Sequence, residues 1–233
     1  MTADLLSTDK RPRVAVVDDA TQTRDTFAQT YTALDVACTY ANVEALLAVK
    51  PVVDLVVLDL LLATTSDGQG VLQGPRAIKE LARLGYQICL YSDERRPLVL
   101  AHCFASGATG LARKIASREV NQETFLSVAH GQTVVPDTLI GLTELLARYD
   151  RLPELTPPQA EVLTARARGE SWDAIARRLH ITPKTAQERW PAIMAKMVHV
   201  LHETGLHPDA SPADVERALG LAPGDLNDPN AGS

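Results

Sequence analysis

The chain has 233 residues, of which 45% are hydrophobic, and a formal net charge of -6. That length fits one or two domains, and that apolar content excludes a wholly disordered chain. The acidic balance excludes a protein coated in nucleic acid but leaves room for one small basic reading face.

Residues 1–12 are polar and read as a loose N-terminus. From Arg13 onward, short β-branched runs alternate with helical stretches. Val14–Val17 is a strand ending on Asp18 and Asp19, and a helix is expected over 21–34. Val36–Tyr40 reads as a strand, 43–49 as a helix, and Leu55–Leu58 as a strand ending on Asp59. A long polar loop through Thr64 and Gly70 follows, and Pro75 opens a helix to about Leu84. Ile88–Tyr91 is a strand ending on Ser92, 96–105 a helix, 108–112 a strand before Lys114, and 119–129 a helix. Five such alternations predict a parallel sheet with helices on both faces over 13–130. Asp137 caps a linker helix to about Tyr149 within a connecting segment 131–153, broken at Leu152-Pro153-Glu154. Thr156-Pro157-Pro158-Gln159 is a capping box with proline at the first helical position. The helix it starts runs to Gly169, Ser171 caps a second to Leu179, and Thr182-Pro183 starts a third. Ser211-Pro212 starts a short last helix in a unit spanning 154–221, and 222–233 reads as a disordered tail.

Cys38, Cys89 and Cys103 are widely spaced, lie in apolar stretches and form no CxxC pair, so they read as reduced core thiols. No apolar run reaches the roughly 18 residues of a membrane span and no signal peptide leads the chain, so a cytoplasmic protein is expected.

In open parallel sheets, ligands gather at the carboxyl ends of the strands, near the point where strand order reverses. Asp18, Asp19, Asp59, Ser92 and Lys114 each follow the end of a predicted strand, so the fold brings all five to one rim. Carboxylates gathered there repel unless a cation joins them. Hard oxygen ligands with open positions suit Mg²⁺. A carboxylate beside such an ion can accept a phosphoryl group. Lys114 can then pair with phosphoryl oxygens and Ser92 can donate a hydroxyl hydrogen bond to them.

Val16-Val17-Asp18-Asp19, Val57-Leu58-Asp59, Leu90-Tyr91-Ser92, and Gly107-Ala108-Thr109-Gly110 ahead of Lys114 resemble the receiver domain of two-component response regulators. The resemblance implies a flavodoxin-like, doubly wound, five-stranded parallel sheet. It also implies Asp59 as phosphoacceptor, Mg²⁺ held by Asp18, Asp19, Asp59 and the backbone carbonyl of Leu61, Ser92 as switch hydroxyl and Lys114 as phosphate partner. Three departures stand out. Leu111 occupies the place of an aromatic switch residue, Ile115 that of a proline after the lysine, and the loop after Asp59 is long.

Residues 154–200 resemble the LuxR-type helix-turn-helix of the NarL/FixJ class, a small all-α domain. The resemblance rests on Leu155-Thr156-Pro157, Glu161-Val162-Leu163, Ala167 with Gly169, Ile175-Ala176 with Leu179, Ile181 and Lys184-Thr185. It implies that the third helix enters the DNA major groove. Lys184, Thr185, Gln187 and Arg189 are then exposed base-reading candidates, and Arg177, Arg178 and Lys196 are phosphate contacts. Pro191 lies inside that third helix and is expected to kink or split it at a cost of about 3 kcal/mol. Glu188 places a negative charge beside the reading face.

The resulting expectation is a transcription factor, not an enzyme. A sensor histidine kinase phosphorylates Asp59, and the protein binds promoter DNA as a homodimer. The alternative is a phosphorylation-independent receiver that works as a constitutive dimer or protein-interaction module with a modified helix-turn-helix.

Overall fold

The computed structural model describes residues 11–60, 72–148, 155–207 and 210–219. Residues 1–10 of the expected loose N-terminus, most of the long loop after Asp59, the Leu152–Glu154 break and the expected tail 222–233 lie outside the described residues.

The β-branched runs form one sheet from β1 (Arg13–Val17), β2 (Asp35–Tyr40), β3 (Leu55–Leu58), β4 (Ile88–Tyr91) and β5 (Gly110–Ala112). Every pairing is parallel and the order is β2-β1-β3-β4-β5. The inner strands β1, β3 and β4 are buried along almost their whole length, because helices cover both faces and leave no polar side. Those helices are α1 (Thr21–Thr30), α2 (Val43–Val49), α3 (Gly74–Arg83), α4 (Pro97–Ala105) and α5 (Arg118–Ala129). Alternate residues of β1 serve opposite faces. Val14 and Val16 pack with Phe27 and Phe125 on the α1–α5 side, while Ala15 and Val17 pack with Leu46, Ile78 and Leu98 on the other.

Two element ends differ from expectation for local reasons. α1 stops at Thr30 rather than residue 34. Leu34 donates its N–H to the Tyr31 carbonyl at 3.0 Å, and this turn sends both side chains into the core. β5 begins at Gly110 rather than at residue 108. At Gly110 a β-carbon would lie 2.4 Å from a methyl of Val128, so only glycine lets β5 approach α5 this closely.

The second half holds α6 (Asp137–Arg148), α7 (Pro157–Ala167), α8 (Trp172–Leu179), α9 (Pro183–Glu188), α10 (Trp190–Glu203) and α11 (Pro212–Leu219). Gln159 accepts from the N–H of Thr156 at 3.1 Å, Ser171 from Ala174 at 3.2 Å and Thr182 from Thr185 at 3.1 Å, satisfying donors that the helix starts leave open. Pro191 splits the third helix. α9 ends at Glu188, Arg189 joins the pieces, and Pro191 falls in the first turn of α10, where its missing N–H breaks no helical bond.

The two halves share a core. After α5 the chain turns back along the sheet edge, and the Val134 N–H bonds the Thr109 carbonyl at 2.8 Å beside a parallel bridge to Gly110. α6 and α10 then both pack on α4. Apart from His102, α4 is apolar, as a helix covered over most of its surface must be. Its Pro97, Leu98, Leu100, Ala101, Cys103 and Phe104 are all buried. One apolar cluster runs from Leu58 and Leu98 through Leu139 and Leu142 to Val162, Trp190, Met194 and Met197. Cys89 and Cys103 are buried free thiols, and Cys38 is free and half-buried. Among the described residues no helix is long and apolar enough to cross a membrane.

Met197→Ala should cost about 2–5 kcal/mol. Because the cluster is continuous, guanidinium unfolding followed by both near- and far-ultraviolet circular dichroism should show one shifted transition rather than loss of a separate second one.

Candidate functional site

The strand ladder delivers the rim. The N–H of Asp18 bonds the Tyr40 carbonyl at 3.1 Å, that of Asp59 the Val17 carbonyl at 2.8 Å, and that of Ser92 the Ala112 carbonyl at 3.0 Å. Each functional residue is therefore the last rung of a strand, with its backbone fixed by the neighbouring strand. Asp18 is 1% exposed, Asp59 6% and Ser92 3%. One carboxylate oxygen from each of Asp18, Asp19 and Asp59 lies within 4.8 Å of the others, the geometry of a candidate cation site. The donor set is hard and anionic, as magnesium-like ions require.

Lys114 crosses this rim from the loop after β5. Its Nζ lies 3.0 Å from Asp18 Oδ2 and 2.9 Å from Asp59 Oδ2. Partial burial by itself lowers the affinity of this ammonium for its proton. The hydrogen bonds to Asp59 and Asp18 outweigh that effect and hold its pKa above the ordinary lysine value. Lys114 thus stays charged through the neutral range.

A second tier holds the acidic turn and was not legible beforehand. Arg24 of α1 donates from Nη1 to the backbone carbonyls of Asp18 at 2.6 Å and Asp19 at 2.8 Å. The Ala20 N–H bonds Asp18 Oδ1 at 2.9 Å. The only sequence signal was a cation one turn into the helix that follows the acidic pair. On the other side Ser92 Oγ accepts from the Glu94 N–H at 3.3 Å. Glu94 then accepts from the N–H groups of Arg95 and Arg96 at 2.8 Å each, and from the Arg96 guanidinium, and so fixes the turn that leads into α4. Burial works to raise the Glu94 pKa, but the Arg96 bonds prevail and lower it. Asp93 Oδ1 accepts from the Ile115 N–H at 3.0 Å, tying the Ser92 loop to the Lys114 loop. Leu61, the expected carbonyl ligand, lies outside the described residues, and Leu111 is half-buried in β5.

In the second half the expected exposed set separates. Lys184, Arg177 and Arg178 are exposed, and Thr185 and Arg189 are partly so. Arg178 Nε lies 3.2 Å from Glu170 Oε2. Lys196 is half-buried, with Nζ 3.0 Å from Gln159 Oε1. The expectation that Gln187 is exposed is corrected: it is 8% exposed. Its Oε1 accepts from the Thr133 N–H at 3.0 Å and from the Thr133 hydroxyl at 3.3 Å. The Thr133 carbonyl in turn accepts from Trp172 Nε1 at 2.6 Å. The segment after α5 thus holds both α8 and α9, a contact between distant parts of the chain that local periodicity does not reveal.

The chain is 33% identical over 151 residues, 64% of its own length and 67% of the other's, to the probable transcriptional regulatory protein SgaR of Hyphomicrobium methylovorum. Its fold is similar to that of the RcsB response regulator of Salmonella typhimurium, with TM-score 0.50 and 18% identity, covering 84% of this chain and 99% of that one. A structure of two RcsB dimers bound to two parallel DNAs is similar at TM-score 0.51 and 17% identity, covering 91% of this chain and 98% of that one. No family model matches the chain.

Lys114→Met leaves two buried carboxylates facing each other. Losing one partner of a fully buried pair costs roughly 3–5 kcal/mol. With the Lys114 side chain 30% exposed, a loss of about 1–3 kcal/mol at neutral pH is expected. Urea unfolding at neutral pH should show this loss, and Asp59→Asn in the same chain should recover part of it.

Proposed function

Because the chain belongs to the two-component response regulators of the NarL/FixJ class, we propose that it is a DNA-binding transcription regulator switched by phosphorylation of Asp59. The observation that carries this reading is the Lys114 ammonium shared between Asp18 and Asp59, with buried Ser92 at the end of the adjacent strand.

In the proposed reaction a carboxylate oxygen of Asp59 forms a bond to phosphorus of a phosphohistidine on a sensor histidine kinase. The P–N bond breaks, and the imidazole leaves with the electron pair and takes up a proton. The transfer needs positioning and charge neutralisation more than acid–base chemistry. Asp18, Asp19 and Asp59 fit Mg²⁺: their oxygens are clustered and hard, and the ammonium that Asp18 and Asp59 already hold marks the positive charge this rim demands. Bound there, Mg²⁺ would supply charge neutralisation to the transferring phosphoryl group. Lys114 exchanges a carboxylate oxygen for a phosphoryl oxygen, and the Ser92 hydroxyl donates to another.

The output follows by population shift. Phosphorylation can favour a state only by its preferential interaction with that state. The two states are the arrangement with Gln187 held on Thr133 and one in which α9 is free to enter a major groove as part of a homodimer on promoter DNA. Lys184, Thr185, Arg189 and the released Gln187 then meet base edges, while Arg177, Arg178 and Lys196 meet phosphates.

A second reading is a protein-interaction module with a constitutive receiver. It is favoured by the shortness of α9, by the Gln187–Thr133 contact and by exposed Glu188 beside Lys184.

Intact-mass measurement after incubation with a small phosphodonor and Mg²⁺ should show one phosphoryl adduct in the wild type and none in Asp59→Asn. An unmodified wild type sinks the switch. For DNA binding, Arg177→Ala should weaken the complex and reduce the slope of log affinity against log salt by about one. Absence of DNA binding in both phosphorylation states, with dimerisation retained, favours the second reading.

A further inference from the structure

Leu111 leaves the place of the expected aromatic switch residue without an aromatic ring, and α6 and α10 take up the outer side of α4. An aromatic group nevertheless touches the pocket from the opposite face of the sheet. Tyr91 is the last residue of β4, one before Ser92, and strand alternation sends it toward α1 and α5. Lys114 Nζ lies 5.5 Å from the centroid of its ring. That is within cation–π range, and the same nitrogen lies 3.0 and 2.9 Å from the two aspartates.

The ring is held from behind. Tyr91 Oη lies 3.2 Å from Tyr31 Oη. Asn121 Nδ2 donates to Tyr31 Oη at 3.4 Å and to the backbone carbonyl of Arg113, the residue before Lys114, at 2.8 Å. The contacts therefore close a loop from Lys114 through Tyr91, Tyr31 and Asn121 back to the Lys114 backbone. Asn121 is buried, and its Oδ1 has no hydrogen-bond partner among the described residues. An unpaired buried acceptor is costly, and the two bonds made by the Asn121 nitrogen offset that cost. Phe27 and Phe125 pack edge-on against Tyr91, each with ring centroids 5.8 Å away, so the ring is braced by two aromatic neighbours. Burial, and then the bond from Tyr31, push the Tyr91 phenol above its ordinary pKa and keep its proton in place.

We propose that Tyr91 is the positioning residue for Lys114, and that the Tyr91–Tyr31 pair carries the state of the pocket to α1 and α5. The second half of this inference rests on phosphorylation of Asp59. The first half does not.

The test uses the full chain labelled with ¹³C-lysine and ¹⁵N-asparagine, the Lys114 and Asn121 resonances being assigned with Lys114→Arg and Asn121→Ala. The Lys114 ε-CH₂ signal should be shifted upfield by the Tyr91 ring in the wild type and in Tyr91→Phe, and should lose that shift in Tyr91→Leu. A Lys114 signal unmoved by Tyr91→Leu overturns the positioning role. With a small phosphodonor and Mg²⁺, Tyr91→Leu should be phosphorylated ~3- to 10-fold more slowly than the wild type, and Tyr91→Phe within about twofold of it. Rescue by phenylalanine separates the ring's role from general packing. Equal rates in Tyr91→Leu and wild type overturn the role even where the signal moves. Tyr31→Phe should keep the wild-type rate but abolish the change in the Asn121 side-chain amide signals on phosphorylation, and an unaltered response overturns the relay. A wild type that accepts no phosphoryl group removes the phosphorylation reading and the relay together, while the Lys114 signal still decides the positioning role.

Discussion

Two carboxylates buried as deeply as Asp18 and Asp59 repel each other unless a cation lies between them, and Lys114 is that cation. Meeting this constraint sets the demands on the rest of the rim. β1 and β3 must be neighbours and end level, which the parallel register from Val14–Leu55 to Val17–Leu58 provides. The loop after β5 must reach back across β4, and the Asp93–Ile115 bond holds it there. The acidic turn must not splay outward, and Arg24 clasps its two carbonyls from α1. The pocket is preorganised because most of its polar groups are also engaged in holding backbone.

The other organising feature is α4. A helix covered by elements from both halves of the chain cannot belong to one half alone. It receives the sheet and α3 on one side and α6 and α10 on the other. Thr133 adds a polar point to the same junction, with its N–H and hydroxyl on Gln187 and its carbonyl on the Trp172 indole. Apolar packing gives this junction strength, and three directional hydrogen bonds give it register.

Much of this was legible in the residues themselves. Continuous apolar runs ending on a polar residue announce inner parallel strands, and the ends of four strands determined the rim without knowledge of any packing. The capping box at Thr156 and the break at Pro191 were equally local, because a capping side chain or a missing N–H acts within one helical turn. What local pattern could not supply was partnership across the chain. Gln187 stands in a polar stretch of a short helix, where periodicity predicts exposure, yet Thr133 lies 54 positions away and covers it. Tyr91 was visible as part of Leu90-Tyr91-Ser92, but its reach to Lys114 depends on the order of the strands. One overlooked signal was present: Pro97-Leu98-Val99-Leu100-Ala101 has no polar face, and a helix with no polar face requires a partner outside its own sheet.

The strap from Gly131 to Pro136 has a practical consequence. It closes the open edge of β5 through Val134, and the segment that follows it covers the outer side of α4. A fragment cut after α5 would keep all five rim residues and look complete by sequence. It would nevertheless present an unpaired strand edge beside a bare apolar helix, the combination that promotes stacking of one copy on another. Isolated preparations of that fragment would report the association of an uncovered surface, and an oligomer seen in them would reflect where the chain was cut.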